Sequence, residues 1–280
     1  MDAEQLHLHA EHENSHWWFL GRRAILRRIV GELLSARRQG HIVDVGCGTG
    51  GNIGAFASEY AAAGIDLSET AIALARERFP GVDFWSGPLT EAPAHFFDRA
   101  DLVLLTDVLE HTPDDYLFLS TLLSRVRTGT AVVITVPANA SLWSSHDVAL
   151  EHYRRYTVDR LALLWAGLPV DARLVSHYNS RLYWPIRTAR GFSRLLGRGL
   201  GARGTDLRRP PALVNRLLAR LFAGEGVRLT RALTRQRGRG FANGVSIIAV
   251  LETTSDGIVP RHRPPDAAPD MHDPKAGDSA

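Results

Sequence analysis

HIVDVGCGTGG, residues 41–51, sets one acid, Asp44, inside a short apolar run (Ile42, Val43, Val45) that empties into a turn with four glycines in six residues. The apolar run has the length and composition of a buried parallel strand. Glycines let the chain turn tightly and approach a ligand closely, and a helix is expected to start at about Asn52. A second apolar run, Ala61 to Ile65, ends in Asp66, and LSETAIALARERF follows with helical spacing. Strand, glycine turn, helix, strand and acid in this order form one half of a doubly wound sheet.

In such a half the turn receives a nucleotide cofactor, and the terminal acid accepts hydrogen bonds from ribose hydroxyls. Gly46, Gly48 and Gly51 satisfy the G-x-G-x-x-G spacing of dinucleotide binders. Asp44, two residues before the first glycine, argues against that ligand, because a carboxylate there would repel a pyrophosphate. The same carboxylate suits a ligand carrying an ammonium and a sulfonium. VDVGCGTG, with Asp66 closing the next strand, resembles the first two motifs of class I S-adenosylmethionine-dependent methyltransferases. A nicotinamide or flavin enzyme is the alternative.

The chain has 280 residues, room for one large domain with an elaboration, and 45% hydrophobic and 22% charged residues are ordinary for a globular protein. Its one cysteine, Cys47, excludes an internal disulfide and reads as a packing choice inside the glycine turn. The N-terminus lacks a basic segment followed by an apolar core, and no apolar run of 18 residues occurs, so the expectation is a cytoplasmic protein. Net charge is +3 but uneven: Arg181 to Gly240 holds 15 arginines, no lysine and two acids, +13, which leaves −10 for the remainder.

Residues 1–16 are polar and rich in histidine, which reads as a mobile lead-in rather than a metal site. Gly21 to Ser35 has the spacing of an amphipathic helix, with Trp17, Trp18 and Phe19 ahead of it. Those aromatics either anchor the helix or form a lid in which Trp18 shields a cationic sulfonium and Arg22 or Arg23 meets the cofactor carboxylate. Ser68 caps the next helix. Val82 to Trp85, Asp101 to Asp107, Thr130 to Pro137, Asp171 to His177 and Gly244 to Leu251 read as strands, Thr112-Pro113 as a helix start, and Thr157 as a cap. The fold class is therefore α/β, a doubly wound, mainly parallel seven-stranded sheet with an arginine-rich helical insertion before the last strand. The domain spans 17–254, and the tail from residue 255 lacks the apolar content to order itself.

HWWFLGRRAIL, DVLEH and EHYRRYT, taken with the glycine motif, make the chain similar to the type 11 methyltransferases and their ubiquinone-biosynthesis O-methyltransferase relatives. That resemblance implies an antiparallel last strand and S-adenosylmethionine as cofactor. It implies that Asp44 and the Gly46, Cys47, Gly48 and Gly50 turn hold the methionine part, that Asp66 holds the ribose and that Leu67 packs on adenine. Gly87, Thr106 and Val108 line the pocket. Pro88 stands where relatives offer an acid to the adenine amino group. Methyl transfer to a hydroxyl needs positioned partners, a base and no metal. Histidine suits that task at neutral pH, and His146, His111 and His152 all fall on the correct rim; His146, beside Asp147, is the first choice.

The arginine-rich segment, about 181–240, interleaves Leu, Trp, Phe and Val with Arg at spacings of three to four and is not required by the fold. Such helices suit a membrane headgroup layer better than nucleic acid, and a substrate lid or self-association is the plainer account. The expected activity is O-methylation of a small amphiphilic acceptor near a membrane. The alternatives are a soluble natural product or sugar as acceptor, and a non-catalytic cofactor-binding or nucleic-acid-binding module.

Overall fold

The computed structural model describes residues 3–37, 39–195, 209–235 and 240–264. Seven strands share one sheet: β1 (His41–Val45), β2 (Ala61–Asp66), β3 (Asp83–Ser86), β4 (Leu102–Thr106), β5 (Ala131–Pro137), β6 (Val170–Tyr178) and β7 (Ser246–Thr253). Their order is β3-β2-β1-β4-β5-β7-β6. The first five are parallel, while β7 lies antiparallel between β5 and β6. β1 pairs with both β2 and β4, so the strand order reverses there and leaves a crevice at the carboxyl ends.

Among the described residues ten helices accompany the sheet: α1 (Ala3–Ser15), α2 (Trp17–Leu33), α3 (Glu69–Arg78), α4 (Ala94–Asp98), α5 (Asp115–Arg125), α6 (Ser145–Ala149), α7 (Val158–Ala162), α8 (Tyr183–Leu195), α9 (Ala212–Ala223) and α10 (Gly226–Arg235). The two-residue period of the strands sorts their side chains into two cores. Val43, Val45, Val103 and Leu105 join Phe96 and Phe97 of α4 and Leu119 and Leu122 of α5. Ile42, Leu102 and Leu104 join Ile25, Leu26 and Ile29 of α2, Ile72 of α3, and Phe222 and Leu229 of α9 and α10. Asp44 shares the parity of Ile42, so it lies under α2 and is fully buried.

Several sequence expectations are corrected. The helix expected at Asn52 is a single 3-10 turn, Ile53–Ala55, because Gly50, Gly51 and Gly54 strip the run of helix propensity. Pro113 precedes the helix it was expected to open: Asp114 is the cap, its carboxylate accepting the Leu117 amide at 2.9 Å. Within the lead-in, residues 3–15 form α1, which buries Leu6, Ala10 and Glu13. Within the tail, residues 255–264 continue onto α5: Ile258 is buried, and the Arg261 amide donates to Ser120 Oγ at 2.8 Å. Residues 265–280 lie outside the described residues. Finally, the arginine-rich segment belongs to the fold. A Cβ on Gly21 would sit 2.5 Å from the Phe222 ring, so α2 and α9 are in direct contact at a position only glycine fits. Residues 196–208 and 236–239 of that segment lie outside the described residues.

Candidate active site

The carboxyl ends of the central strands open on a cavity of about 1190 Å3, walled in part by α1, α2, α5 and α8. At one end stands the glycine turn. Gly46, Gly48 and Gly50 have φ of 76°, 53° and 82°, a region that favours glycine. The amides of Gly46 and Cys47 donate to Ile65 O at 2.7 and 3.0 Å, tying the turn to β2. No atom would meet a Cβ on Gly48, so the backbone there faces open space. Gly50 instead packs on Phe79, Phe84 and Ala75 and closes the turn from behind.

Asp66 accepts the Gly48 amide on Oδ2 at 2.8 Å and the Ser68 amide on Oδ1 at 2.9 Å. Each oxygen keeps acceptor capacity for a further donor. Next to it, Leu67 leaves 73% of its surface exposed, an apolar shelf at the rim. Asp44 is not on the cavity wall. Neither of its oxygens has a hydrogen-bond partner, and burial pushes its pKa up to about 8, with Arg22 pulling the other way.

α2 reaches over this end. Arg22, buried, pairs with Asp107 and lies 4.2 Å from the Trp18 ring centroid. Asp107 itself adopts φ 57° and accepts Thr135 Oγ1 at 3.1 Å. Arg23 points away: its guanidinium donates to Glu13 O, and it does not line the cavity. The Glu13 carboxylate accepts from Thr49 Oγ1 at 2.7 Å and Arg78 at 2.8 Å, latching α1 onto the glycine turn.

The far end is polar in a different way. His152 Nδ1 lies 3.0 Å from Asp147 Oδ1, and Arg155 grips the same carboxylate through Nε at 2.8 Å and Nη2 at 3.0 Å. Burial alone would raise Asp147, but the His152 and Arg155 contacts prevail and hold it well below the ordinary carboxylate range. The His111 ring stands edge-on to His152 at 4.6 Å; desolvation of the ring lowers its pKa to about 4, and His152 adds to the effect. Glu110, which unlike His111 is buried, has an unpartnered Oε2, and burial reinforced by Asp107 raises its carboxyl well above the usual range. One ligand atom each from Glu110, His111 and His152 lies within 4.8 Å of the others, a set that a divalent cation could bridge. His146 lines the same space, and Asp147 turns to His152.

A family model described as "Methyltransferase domain" matches residues 18–193, more than half of the chain. The chain belongs to that methyltransferase family. Solved structures agree on the fold. A putative sarcosine dimethylglycine methyltransferase from Galdieria sulphuraria is 11% identical over 85% of this chain and 88% of its own, with a TM-score of 0.55. The plantazolicin methyltransferases BpumL and BamL, both solved with S-adenosylhomocysteine, have TM-scores of 0.52 and 0.51 at 15% and 16% identity. They cover 88% and 84% of this chain, and 88% and 86% of their own chains are matched. None of the curated proteins matches it.

S-adenosylmethionine, the cofactor of this class of methyltransferase, fits the residues present. The orphaned Asp44 carboxylate behind the turn, the open backbone at Gly48, the spare acceptor capacity of Asp66 and the bare Leu67 shelf match its ammonium, carboxylate, ribose and adenine in turn. Of the residues read from sequence, Gly46, Cys47, Gly48, Asp66, Leu67, Gly87, Thr106, Val108 and Trp18 line the cavity together with all three histidines. Asp44, Gly50 and Arg23 do not. The Cys47 thiol is raised by burial, which makes it a packing group, not a nucleophile. Sequence reasoning missed Glu13, Asn52, Asp107 and Asn179 on the wall, and the pairing of Asp147 with His152.

Proposed function

We propose that this methyltransferase methylates an oxygen of a small amphiphilic acceptor, taken up at or near a membrane surface. The cofactor supplies a methyl group on a positively charged sulfur, open to in-line attack. The observation that carries the reading is that one cavity is lined by both the glycine turn and His152, whose ring is backed by the buried Asp147. In this reading Asp147 accepts the Nδ1 proton of His152 and fixes that tautomer, so Nε2 is left to take the acceptor's hydroxyl proton. Arg155 keeps Asp147 in place. The acceptor's apolar part lies along Leu117, Phe118, Leu150 and Ile186, which share the cavity with the histidines. A cavity of about 1190 Å3 exceeds what one drug-sized ligand occupies, roughly 300–1000 Å3, and so has space for cofactor and acceptor together. A soluble natural product or sugar is the second reading, favoured by the two imidazoles and one carboxyl that crowd the far end.

Two measurements test this. Calorimetry should give micromolar binding of S-adenosylhomocysteine and none of NADH. Labelled methyl transfer to a total lipid extract, compared with a water-soluble metabolite extract, should favour the lipid fraction. Transfer to the aqueous fraction alone would move the assignment to the second reading.

A further inference from the structure

We propose that the outer face of α9 docks this methyltransferase on an anionic lipid bilayer, with Leu213 and Leu217 entering the headgroup layer and Arg216 and Arg220 meeting lipid phosphates. The inference rests on the membrane-side uptake proposed above and names its contact surface and partner.

The helix has two unlike faces. Inward, Asn215 and Phe222 are buried, one helical repeat of seven apart. Outward, Leu213, Arg216, Leu217 and Arg220 are exposed at spacings of three and four, so they form one face. Leu213 is 79% exposed and Leu217 65%. Large apolar side chains this bare on a helix the fold already holds by its other face serve no packing purpose within the described chain.

Charge names the partner. Over residues 209–235 six arginines are exposed: Arg209, Arg216, Arg220, Arg228, Arg231 and Arg235. The one acid of that span, Glu225, is fully buried and spends its carboxylate on the Ser180 and Arg181 amides, both at 2.8 Å. The exposed charges of this span are therefore all guanidinium groups, which pair with phosphate oxygens in a planar fork. Leucine interleaved with arginine, on a helix of 12 residues, is the pattern of a segment that lies in the interface plane. No helix among the described residues is long and apolar enough to cross a membrane.

Position ties this face to the acceptor space. Asn215 accepts the Trp17 amide at 2.9 Å and donates to Ser15 O at 2.8 Å, so α9 holds the α1–α2 junction, where Trp17 and Trp18 line the cavity. Arg181 donates to Leu221 O at 3.0 Å, joining the far end of α9 to the start of α8. α8 contributes Ile186 and Ala189 to the same cavity and exposes Trp184 by 62%. The two elements that flank α9 thus both line the cavity, the α1–α2 junction over the glycine turn and α8 beside the proposed acceptor space.

Flotation of the full chain with vesicles of phosphatidylcholine alone, and of phosphatidylcholine mixed with phosphatidylglycerol, tests this without any methyl acceptor. Wild type should float with the anionic vesicles and not with the neutral ones, and salt should weaken the binding. Arg216→Ser and Arg220→Ser should each lower partitioning about fivefold, the factor that about 1 kcal/mol per cationic residue sets. Leu213→Glu/Leu217→Glu should abolish it. S-adenosylhomocysteine binding, measured on the same samples, should be unchanged in every variant, so a failed cofactor reading and a failed docking face give different results. No flotation, or equal flotation with both vesicle types, overturns the proposal. So does a double variant that floats like wild type. Loss of a dimer in the double variant would assign the face to a second copy of the chain, and binding of an RNA oligonucleotide in place of vesicles would assign it to nucleic acid; either outcome refutes the bilayer.

Discussion

His152, in the wall of the cavity, has its Nδ1 3.0 Å from Oδ1 of Asp147 behind it, and both residues are buried. Asp147 is held on its other side by two arms of Arg155. An imidazole oriented through Nδ1 presents Nε2 alone, and that is the arrangement a general base needs. Replacing His152 by Ala should lower kcat by about 10²–10⁴ while leaving the affinity for S-adenosylhomocysteine within about twofold. His146→Ala should change kcat by less than about tenfold. Equal losses from both variants would remove the assignment. Asp147→Asn is the harsher change, because it strands the buried Arg155 guanidinium, and about 3–5 kcal/mol of stability should go with it in a denaturant melt.

Asp66 anchors the other end. Its two oxygens already organise the Gly48 and Ser68 amides, so Asp66→Ala would remove the proposed ribose contact and slacken the turn at once. Calorimetry should show at least a hundredfold loss of S-adenosylhomocysteine affinity, about 2.7 kcal/mol or more. Asp66→Asn keeps the shape but replaces one acceptor with a donor, and should recover only part of that loss.

If the cofactor ammonium sits ahead of Asp44 as proposed, cofactor binding should depend on pH. Burial holds its pKa at about 8 in the free protein, so it is mostly protonated at neutral pH. A cation arriving at the turn favours the carboxylate and lowers that pKa, and binding then expels a proton. Affinity for S-adenosylhomocysteine should therefore rise with pH between about 6 and about 8 and level off above, by at most tenfold per pH unit. Calorimetry in buffers of different ionisation enthalpy would register the released proton. Asp44→Asn should flatten the profile.

The strands were legible because burial on both sheet faces forces near-continuous apolar runs, and each glycine–acid pairing marked a strand end. Elements held by few apolar contacts were not. α1 is polar throughout, yet Leu6, Ala10 and Glu13 fall at i, i+4 and i+7, a faint stripe whose last member is a carboxylate rather than a hydrophobe. Ile258 was a single apolar residue among prolines and charges, too little to signal a docked segment. Within the site, Asp147 was seen beside His146 because they are adjacent in sequence. Its real partner, His152, is brought round by a one-turn helix and by Glu151 at φ 55°, a reversal that no periodicity announces. Asp107 and Asn179 also carry positive φ, at 57° and 52°, and each follows the last residue of a strand.

Glu13 couples the first helix to the cofactor end through Thr49 and Arg78. Glu13→Ala should weaken S-adenosylhomocysteine binding and strip residues 3–15 of hydrogen-exchange protection, at a cost of about 1.5–3 kcal/mol for a hydrogen bond to a charged group. An unchanged exchange pattern would show that α1 is held by Leu6 and Ala10 alone.

Phe222 tests whether the arginine-rich helices are structural. It is fully buried against Gly21 and stacks on Tyr178 at 5.6 Å between centroids. Phe222→Ala should cost about 3–5 kcal/mol. A thermal midpoint within a degree of wild type would make α9 an appendage after all.

The sheet order also has a temporal meaning. β6 joins the sheet only through β7, and β7 occupies residues 246–253 near the end of the chain. A ribosome that has delivered the first two hundred residues therefore exposes the edge of β5 and strands β6 without a neighbour. Until residues 246–253 have emerged, the nascent chain carries an open, apolar border, and chaperone demand should peak in that interval and fall once β7 is in place.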